Sequence, residues 1–153
     1  MRIGQILRQE CLVPDVKARD KAGVLAELAQ RLVQVDPTLE LEVLITSLLE
    51  RESLGSTGIG DSIAIPHSRL PGLRQTMAAF GRSGQGVEFD SLDGKPVHLI
   101  FLLIAPEHAS RQHLMALARI SRLCQKESLR SRLMREPSAD RLYQLIVEED
   151  GKL

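Results

Sequence analysis

The chain has few aromatic residues and no excess of charge of either sign. It contains three phenylalanines, one tyrosine and no tryptophan among 153 residues, which leaves little on which nucleic-acid bases could stack. Twenty Lys and Arg residues balance twenty Asp and Glu residues, so no net field attracts nucleic acid or an anionic membrane. We therefore expect no nucleic-acid partner.

Cysteines and long apolar runs are also scarce. Cys11 and Cys124 fit neither a zinc-binding spacing nor a disulfide framework. The longest apolar run, VHLIFLLIAP at 97–106, is too short to span a bilayer, and the first ten residues lack the apolar centre of a signal peptide. These features predict a reduced, cytoplasmic protein without membrane insertion, and the length predicts a single domain over residues 1–153.

Hydrophobic periodicity predicts helices and strands in mixed order. Apolar residues recur at helical spacing in five segments, at 20–35, 38–52, 110–125, 129–135 and 138–148. Short strands are predicted at 62–65, 76–82, 87–89 and 97–104. Because helices precede, interrupt and follow the strands, we expect an α/β fold with a mixed β-sheet flanked by helices on both faces.

The stretch GSTGIGDSIAIPHSR at 55–69 combines glycines and small hydroxyl residues with a histidine. Unhindered backbone N–H groups in such a segment can form a concave nest for an anion. The residues expected to contribute are Gly55, Ser56, Thr57, Gly58 and Gly60. His67 follows at the predicted exposed end of a strand, where a largely neutral imidazole is available as a nucleophile.

Two further residues are candidates to act with His67. Arg51, at the end of the second predicted helix, can supply the positive charge that a phosphoryl group attracts. His113 lies in the first turn of a later helix, outside its apolar stripe, where the helix N-terminus favours a neutral imidazole. The set suits transient phosphorylation of His67. Local chemistry alone also allows a solvated histidine beside a turn, an ordinary surface arginine, and a solvent-facing or partly buried polar histidine.

Motifs for several other chemistries are absent. The chain has no GxxxxGK[ST], no dinucleotide-binding glycine pattern, no HExxH and no GxSxG. A histidine-dependent hydrolase is disfavoured because no serine or cysteine nucleophile lies in a recognisable setting. We expect neither a metal nor a cofactor.

The segment LLERESLGSTGIGDSIAIPHSR at 48–69 resembles the signature of phosphotransferase-system enzyme IIA domains of the fructose/mannitol type, above all their nitrogen-regulatory branch. The similarity continues through FDSLDGKPVHLIFLLIAPE and QHLMALARISRL. The resemblance implies that His67 accepts a phosphoryl group from a phosphorylated HPr-like carrier protein, with His113 and Arg51 in the same active site. It implies a phosphocarrier rather than a stand-alone metabolic enzyme.

The nitrogen-regulatory branch controls other proteins through its phosphorylation state. The resemblance therefore implies regulatory protein targets, such as potassium-transport or sensor-kinase proteins. Two alternatives remain: a sugar-specific enzyme IIA that passes phosphate to an enzyme IIB, and a binding module whose histidine is never phosphorylated.

The sequence departs from this branch at two points. Asp61-Ser62 stands where the branch commonly has Asn-Gly, and Ser68 stands where glycine often follows the histidine. Because Asp61 adds a negative charge near the expected anion site, it is expected to weaken phosphoryl transfer or to alter the choice of carrier.

Overall fold

A six-stranded mixed sheet forms the centre of the molecule in the computed structural model, which describes residues 1–153. A short 3₁₀ helix at Ile3–Gln5 precedes the first strand. The strands are β1 (Leu7–Val13), β2 (Gly58–Gly60), β3 (Ile63–Ala64), β4 (His67–Leu70), β5 (Met77–Val87) and β6 (Val97–Pro106). The helices are α1 (Lys21–Val35), α2 (Leu41–Ser53), α3 (Ser110–Cys124), α4 (Glu127–Arg135) and α5 (Ala139–Asp150).

Strand β6 is the centre of the sheet. Its antiparallel neighbour β5 places Phe80 opposite Phe101, and β1 runs parallel to β5 beyond it. On its other side, β3 and then β4 run parallel to β6 along the same edge, and β2 forms a hairpin with β3. All residues of β6 except His98 are buried, as in a strand that is covered on both faces.

Two groups of helices cover the sheet. Helices α1 and α2 pack against each other, α1 contacts β1 and β5, and α2 contacts β4. Helices α3, α4 and α5 pack against one another, with α3 and α4 on β6 and α5 on β1. The core between these layers includes the contacting rings of Phe80 and Phe101, whose centroids are 4.8 Å apart. The predicted α/β fold with a mixed sheet flanked by helices is confirmed.

The strands differ from their predicted bounds more than the helices do. The sequence pattern does not predict β1, because its polar Arg8-Gln9-Glu10 run hides the apolar positions. Strand β5 continues beyond Ser83-Gly84 to Val87 instead of ending at residue 82. The register shifts between Arg82 and Val87, and Gly86 has a φ of 94°, so a β-bulge absorbs the residues that read as a turn.

None of the five helices combines the length and the hydropathy that a bilayer-spanning helix requires.

Candidate functional site

A break between two short strands presents His67. Strand β3 ends at Ala64 and β4 begins at His67, opposite Leu103 of β6. Pro66 has no N–H to donate to the sheet, but its carbonyl accepts from the Leu103 N–H at 2.9 Å, so pairing with β6 resumes at once. His67 therefore opens a strand instead of ending one, and its side chain is half-buried, which corrects the exposed position expected from the sequence.

The ring of His67 is held in one tautomer. Its Nδ1 lies 2.7 Å from the Ile65 carbonyl oxygen, which can only accept, so Nδ1 carries the proton and donates it. Nε2 is left with its lone pair. Burial lowers the pKa of His67, partly opposed by the Ile65 hydrogen bond, and the nearby Arg51 charge lowers the pKa further. The ring is therefore neutral at pH 7.

His113 lies against His67, with ring centroids 5.3 Å apart. It is only 7% exposed and shares the buried stripe of α3 with Ala116 and Ile120. The expectation that it lies outside the apolar stripe is wrong, because the stripe of α3 includes this turn. Burial, followed by the charges of His67 and Arg69, lowers the pKa of His113 to about 4. Burial thus contributes most to keeping this ring neutral.

The tautomer of His113 follows from its surroundings. Its Nδ1 is buried without a hydrogen-bond partner. An unpaired N–H is rarer in protein interiors than an under-used acceptor, so the favoured tautomer leaves a lone pair at Nδ1 and a hydrogen on Nε2. An Nε2–H on the cleft side is a donor for an anionic ligand.

These two histidines lie in the wall of a cleft of about 790 Å³. Three parts of the chain build it: the end of α2, strand β4, and the passage from β6 into α3. Its polar lining consists of Ser47, Glu50, Arg51, Ser53, His67, Ser68, Arg69, Glu107, Ser110 and His113. The structure thus brings His67, His113 and Arg51 together, as the resemblance implies.

Arg51 is held at the rim of this cleft by the end of α2. Its Nη1–H donates to the Gly55 carbonyl at 3.0 Å, across the turn that leaves the helix. The next residue, Glu52, is buried and accepts from both the backbone N–H and the hydroxyl of Thr57. Lys21 pairs with Glu52 at 3.1 Å. This network fixes the segment after α2 and hence the position of Arg51, and the sequence reasoning did not identify it.

The glycine-rich segment does not line the cleft. The residues concerned are Gly55, Ser56, Thr57, Gly58 and Gly60. The hydroxyl of Ser56 donates to the Phe89 carbonyl at 2.7 Å and accepts from the Gly58 N–H at 3.0 Å. A Cβ on Gly58 would lie 2.9 Å from the Ser91 Cα, so only glycine fits there. The structure therefore places these residues in the scaffold behind the site.

The two departures from the family pattern lie in different surroundings. Asp61 is exposed in the turn between β2 and β3 and does not line the cleft. Ser68 is buried beside His67, and its hydroxyl hydrogen-bonds the hydroxyl of Ser47 on α2. Ser68 therefore joins β4 to α2 next to the histidine, in the lining of the cleft.

Arg69 is a residue of the cleft that the sequence reasoning missed. Its guanidinium donates to the Ser110 hydroxyl and, at 3.5 Å, to the Glu107 carbonyl. The available signal was strand alternation. Residues two apart on a strand share a face, so a strand through His67 would place Arg69 on the same face as His67. That signal was hidden because the predicted strand ends at residue 65, before Pro66, and no strand is predicted at 67–70.

Comparison with known proteins identifies the family of this chain. Residues 5–149 match the family described as "Phosphoenolpyruvate-dependent sugar phosphotransferase system, EIIA 2". A "Nitrogen regulatory protein" of Bradyrhizobium diazoefficiens is 38% identical over 147 residues, which cover 96% of this chain and 95% of that protein. A "PTS system fructose-specific EIIABC component" of Bacillus subtilis is 35% identical over 150 residues, which cover 98% of this chain but 24% of that protein.

A solved structure shares the whole fold. The crystal structure of nitrogen regulatory protein IIA-Ntr from Neisseria meningitidis matches with a TM-score of 0.87 and 36% identity, covering 94% of this chain and 98% of that one. The resemblance of the LGSTGIG and IAIPH segments to enzyme IIA is therefore confirmed. The chain belongs to the EIIA 2 family of the phosphoenolpyruvate-dependent sugar phosphotransferase system.

Proposed function

We propose that this chain is a nitrogen-regulatory enzyme IIA of the cytoplasm, whose His67 accepts a phosphoryl group from a phosphorylated HPr-like carrier protein. The observation that carries the proposal is the state of His67: its Nδ1–H is held by the Ile65 carbonyl, and Nε2 remains free beside His113 and Arg51. A neutral imidazole with one free lone pair is the form that can act as a nucleophile.

The transfer step follows from this tautomer. The Nε2 lone pair of His67 forms the new bond to phosphorus while the bond from phosphorus to the carrier's imidazole breaks. A carrier ring that is protonated on its other nitrogen takes back the electron pair and leaves as neutral imidazole. The positive charge passes to the His67 ring, where the Nδ1–H bond to Ile65 stabilises it.

In this step, His113 and Arg51 bind and stabilise the phosphoryl oxygens. Phosphoryl transfer has a loose transition state, so the protein contributes mainly positioning and charge stabilisation. The Nε2–H of a neutral His113 donates a hydrogen bond, while Arg51 contributes a fixed positive charge and a planar fork. Gly55, Ser56, Thr57, Gly58 and Gly60 support the transfer indirectly, by holding the end of α2 and the β2–β3 hairpin in place.

The direct test is phosphorylation by a purified phosphorylated HPr-like carrier, measured by intact mass. The protein is expected to gain one acid-labile phosphoryl group, and His67→Ala is expected to gain none. His108→Ala, which removes an exposed histidine outside the cleft, is the matched control and is expected to be labelled like the unaltered protein. Full labelling of His67→Ala would refute the assignment of the acceptor.

The regulatory branch is supported by the nitrogen regulatory relative, which matches along almost its entire length. Its phosphorylation state would then control binding to protein targets, such as potassium-transport or sensor-kinase proteins. The second candidate is a sugar-specific enzyme IIA, supported by the fructose-specific relative, of which this chain spans about a quarter.

Deletion of the gene is expected to disturb potassium balance and to leave fructose and mannitol uptake intact. Loss of uptake of one sugar alone would favour the second candidate.

A further inference from the structure

Arg69 shares the cleft face of β4 with His67. Side chains on this strand alternate in exposure: Ser68 and Leu70 are buried, whereas the half-buried His67 and the exposed Arg69 point to the same face, and both line the cleft. The Arg69 guanidinium is held at the start of α3 by the Ser110 hydroxyl and the Glu107 carbonyl. It is therefore anchored in a different part of the cleft wall from Arg51, which is held at the end of α2.

The cleft contains two fixed positive charges. Arg51 and Arg69 are the basic side chains of its lining other than the histidines. Neither forms an ion pair with a carboxylate, although Glu50 and Glu107 also lie in the lining. Each arginine instead donates to neutral oxygens, which leaves its charge uncompensated. His113 is neutral near pH 7, because burial lowers its pKa to about 4, and adds no charge.

The start of α3 provides further donors beside Arg69. Its N-cap residue, Ala109, has no side chain that could cap the first turn. The Ser110 hydroxyl accepts a hydrogen bond from Arg69 and retains its own hydrogen for donation. The side of the cleft formed by β4 and α3 thus offers a guanidinium and a hydroxyl.

We propose that Arg69, held by Ser110, binds a non-bridging oxygen of the phosphoryl group on His67 and supplies the second of two positive charges that stabilise its transfer. The inference rests on the proposed function and adds a residue to it. A planar guanidinium suits this role because it can bond Ser110 and a phosphoryl oxygen at the same time. A lysine at this position would keep the positive charge but lose the planar set of N–H donors.

Single-turnover transfer from the phosphorylated carrier tests the effect on rate. Arg69→Met is expected to slow transfer about ten- to a hundred-fold, the effect of losing one charge-assisted hydrogen bond. Arg69→Lys is expected to transfer at a rate between those of Arg69→Met and the unaltered protein. Arg74→Met, which removes an exposed arginine that does not line the cleft, is the matched control and is expected to transfer at the unaltered rate. An unaltered rate in Arg69→Met would overturn the proposal.

A second measurement does not depend on the carrier. Phosphoramidate can phosphorylate histidine directly, and ³¹P resonance then follows the ionisation of the attached phosphoryl group. Loss of the Arg69 charge is expected to raise the midpoint of that titration by about 0.5–1 pH unit in Arg69→Met, with Arg51, Glu50, Glu107 and His113 unchanged. Equal midpoints would overturn the role of Arg69. Failure of the carrier to label the unaltered protein would instead contradict the proposed function.

Discussion

His113 shows how burial can prepare a residue for an anion. A protonated imidazole at this site would have to lose most of its solvation beside a second histidine and Arg69. The neutral ring avoids this cost and still provides one N–H donor. The orphaned Nδ1 is then the remaining cost of placing a polar ring on the buried stripe of α3.

The burial of His113 predicts a loss of stability in acid. Its pKa is about 4 in the folded protein and about 6.5 when solvated, so the unfolded state binds more protons between these values. Stability from this residue is fully present above pH 6.5 and is lost as the pH falls towards 4. Between pH 7 and pH 4.5, the loss is expected to be about 2–3 kcal/mol. Urea denaturation at the two pH values measures it.

His113→Gln isolates this contribution. The variant keeps a polar side chain but does not titrate, so its stability should fall less between the two pH values than that of the unaltered protein. His108→Gln removes an exposed histidine and gives the background for losing one imidazole. Equal losses in the unaltered protein and in His113→Gln would contradict the assignment.

At this scale, motif resemblance was more informative than local chemistry. Local chemistry made His67, His113 and Arg51 candidates, but only the family resemblance placed them in one active site, because residues far apart in sequence carry no periodic signal of their proximity. Arg69 lies only two residues from His67, yet it was missed because Pro66 concealed the start of β4. The orientation of the His67 ring could not be predicted, since it depends on the Ile65 carbonyl and the local path of the backbone.

At the scale of elements, the β2–β3 hairpin contains a strained turn. Its two central residues, Asp61 and Ser62, have φ values of 55° and 67°. Two-residue hairpin turns with both φ values positive favour Asn-Gly, because glycine accepts this conformation without a steric cost. This is the pair that the nitrogen-regulatory branch commonly has, so the departure at Asp61-Ser62 affects turn geometry.

Replacing this pair is expected to stabilise the protein. The double variant Asp61→Asn/Ser62→Gly should raise the free energy of unfolding by about 0.5–1.5 kcal/mol, since relief of left-handed strain exceeds the added freedom of the unfolded chain. Urea denaturation measures the gain. Ser62→Ala is the control and should give no gain, because alanine is strained at the same φ. The transfer rate should remain unaltered, as the turn does not line the cleft; faster transfer would support the initial expectation for Asp61.

Elements were predicted well where one physical rule dominated. The Asp20 side chain caps α1 by accepting from the Gly23 N–H at 2.8 Å, as its sequence position indicates. The apolar stripe of a helix contains enough residues to be recognised even when one position is polar, as His113 is in α3. The short strands β2, β3 and β4 contain too few residues for such a pattern. Pairing with β6 decides the paths of β3 and β4, and the close approach of Gly58 to Ser91 decides that of β2.

At the scale of the whole molecule, Asp150 joins the two ends of the chain. It is 1% exposed at the end of α5 and accepts from the Ile3 N–H at 2.8 Å. The Arg119 guanidinium donates to its carboxylate and, at 2.9 Å, to its backbone carbonyl. The contact links the 3₁₀ helix and α5 to α3, which carries His113. Residues 3, 119 and 150 are too far apart in sequence for any local pattern to predict this.

Removing this carboxylate is expected to destabilise the fold strongly. Asp150→Ala leaves the buried Ile3 N–H without an acceptor and the Arg119 charge without its carboxylate, which should lower the free energy of unfolding by about 3–5 kcal/mol. Asp150→Asn keeps one acceptor oxygen, so its free energy of unfolding should lie between those of Asp150→Ala and the unaltered protein. Glu148→Ala removes an exposed carboxylate 3.7 Å from Arg141 on the same helix and should cost less than about 1 kcal/mol. Urea denaturation of all three measures the difference, and equal losses in Asp150→Ala and Glu148→Ala would show that the contact between the chain ends contributes little to stability.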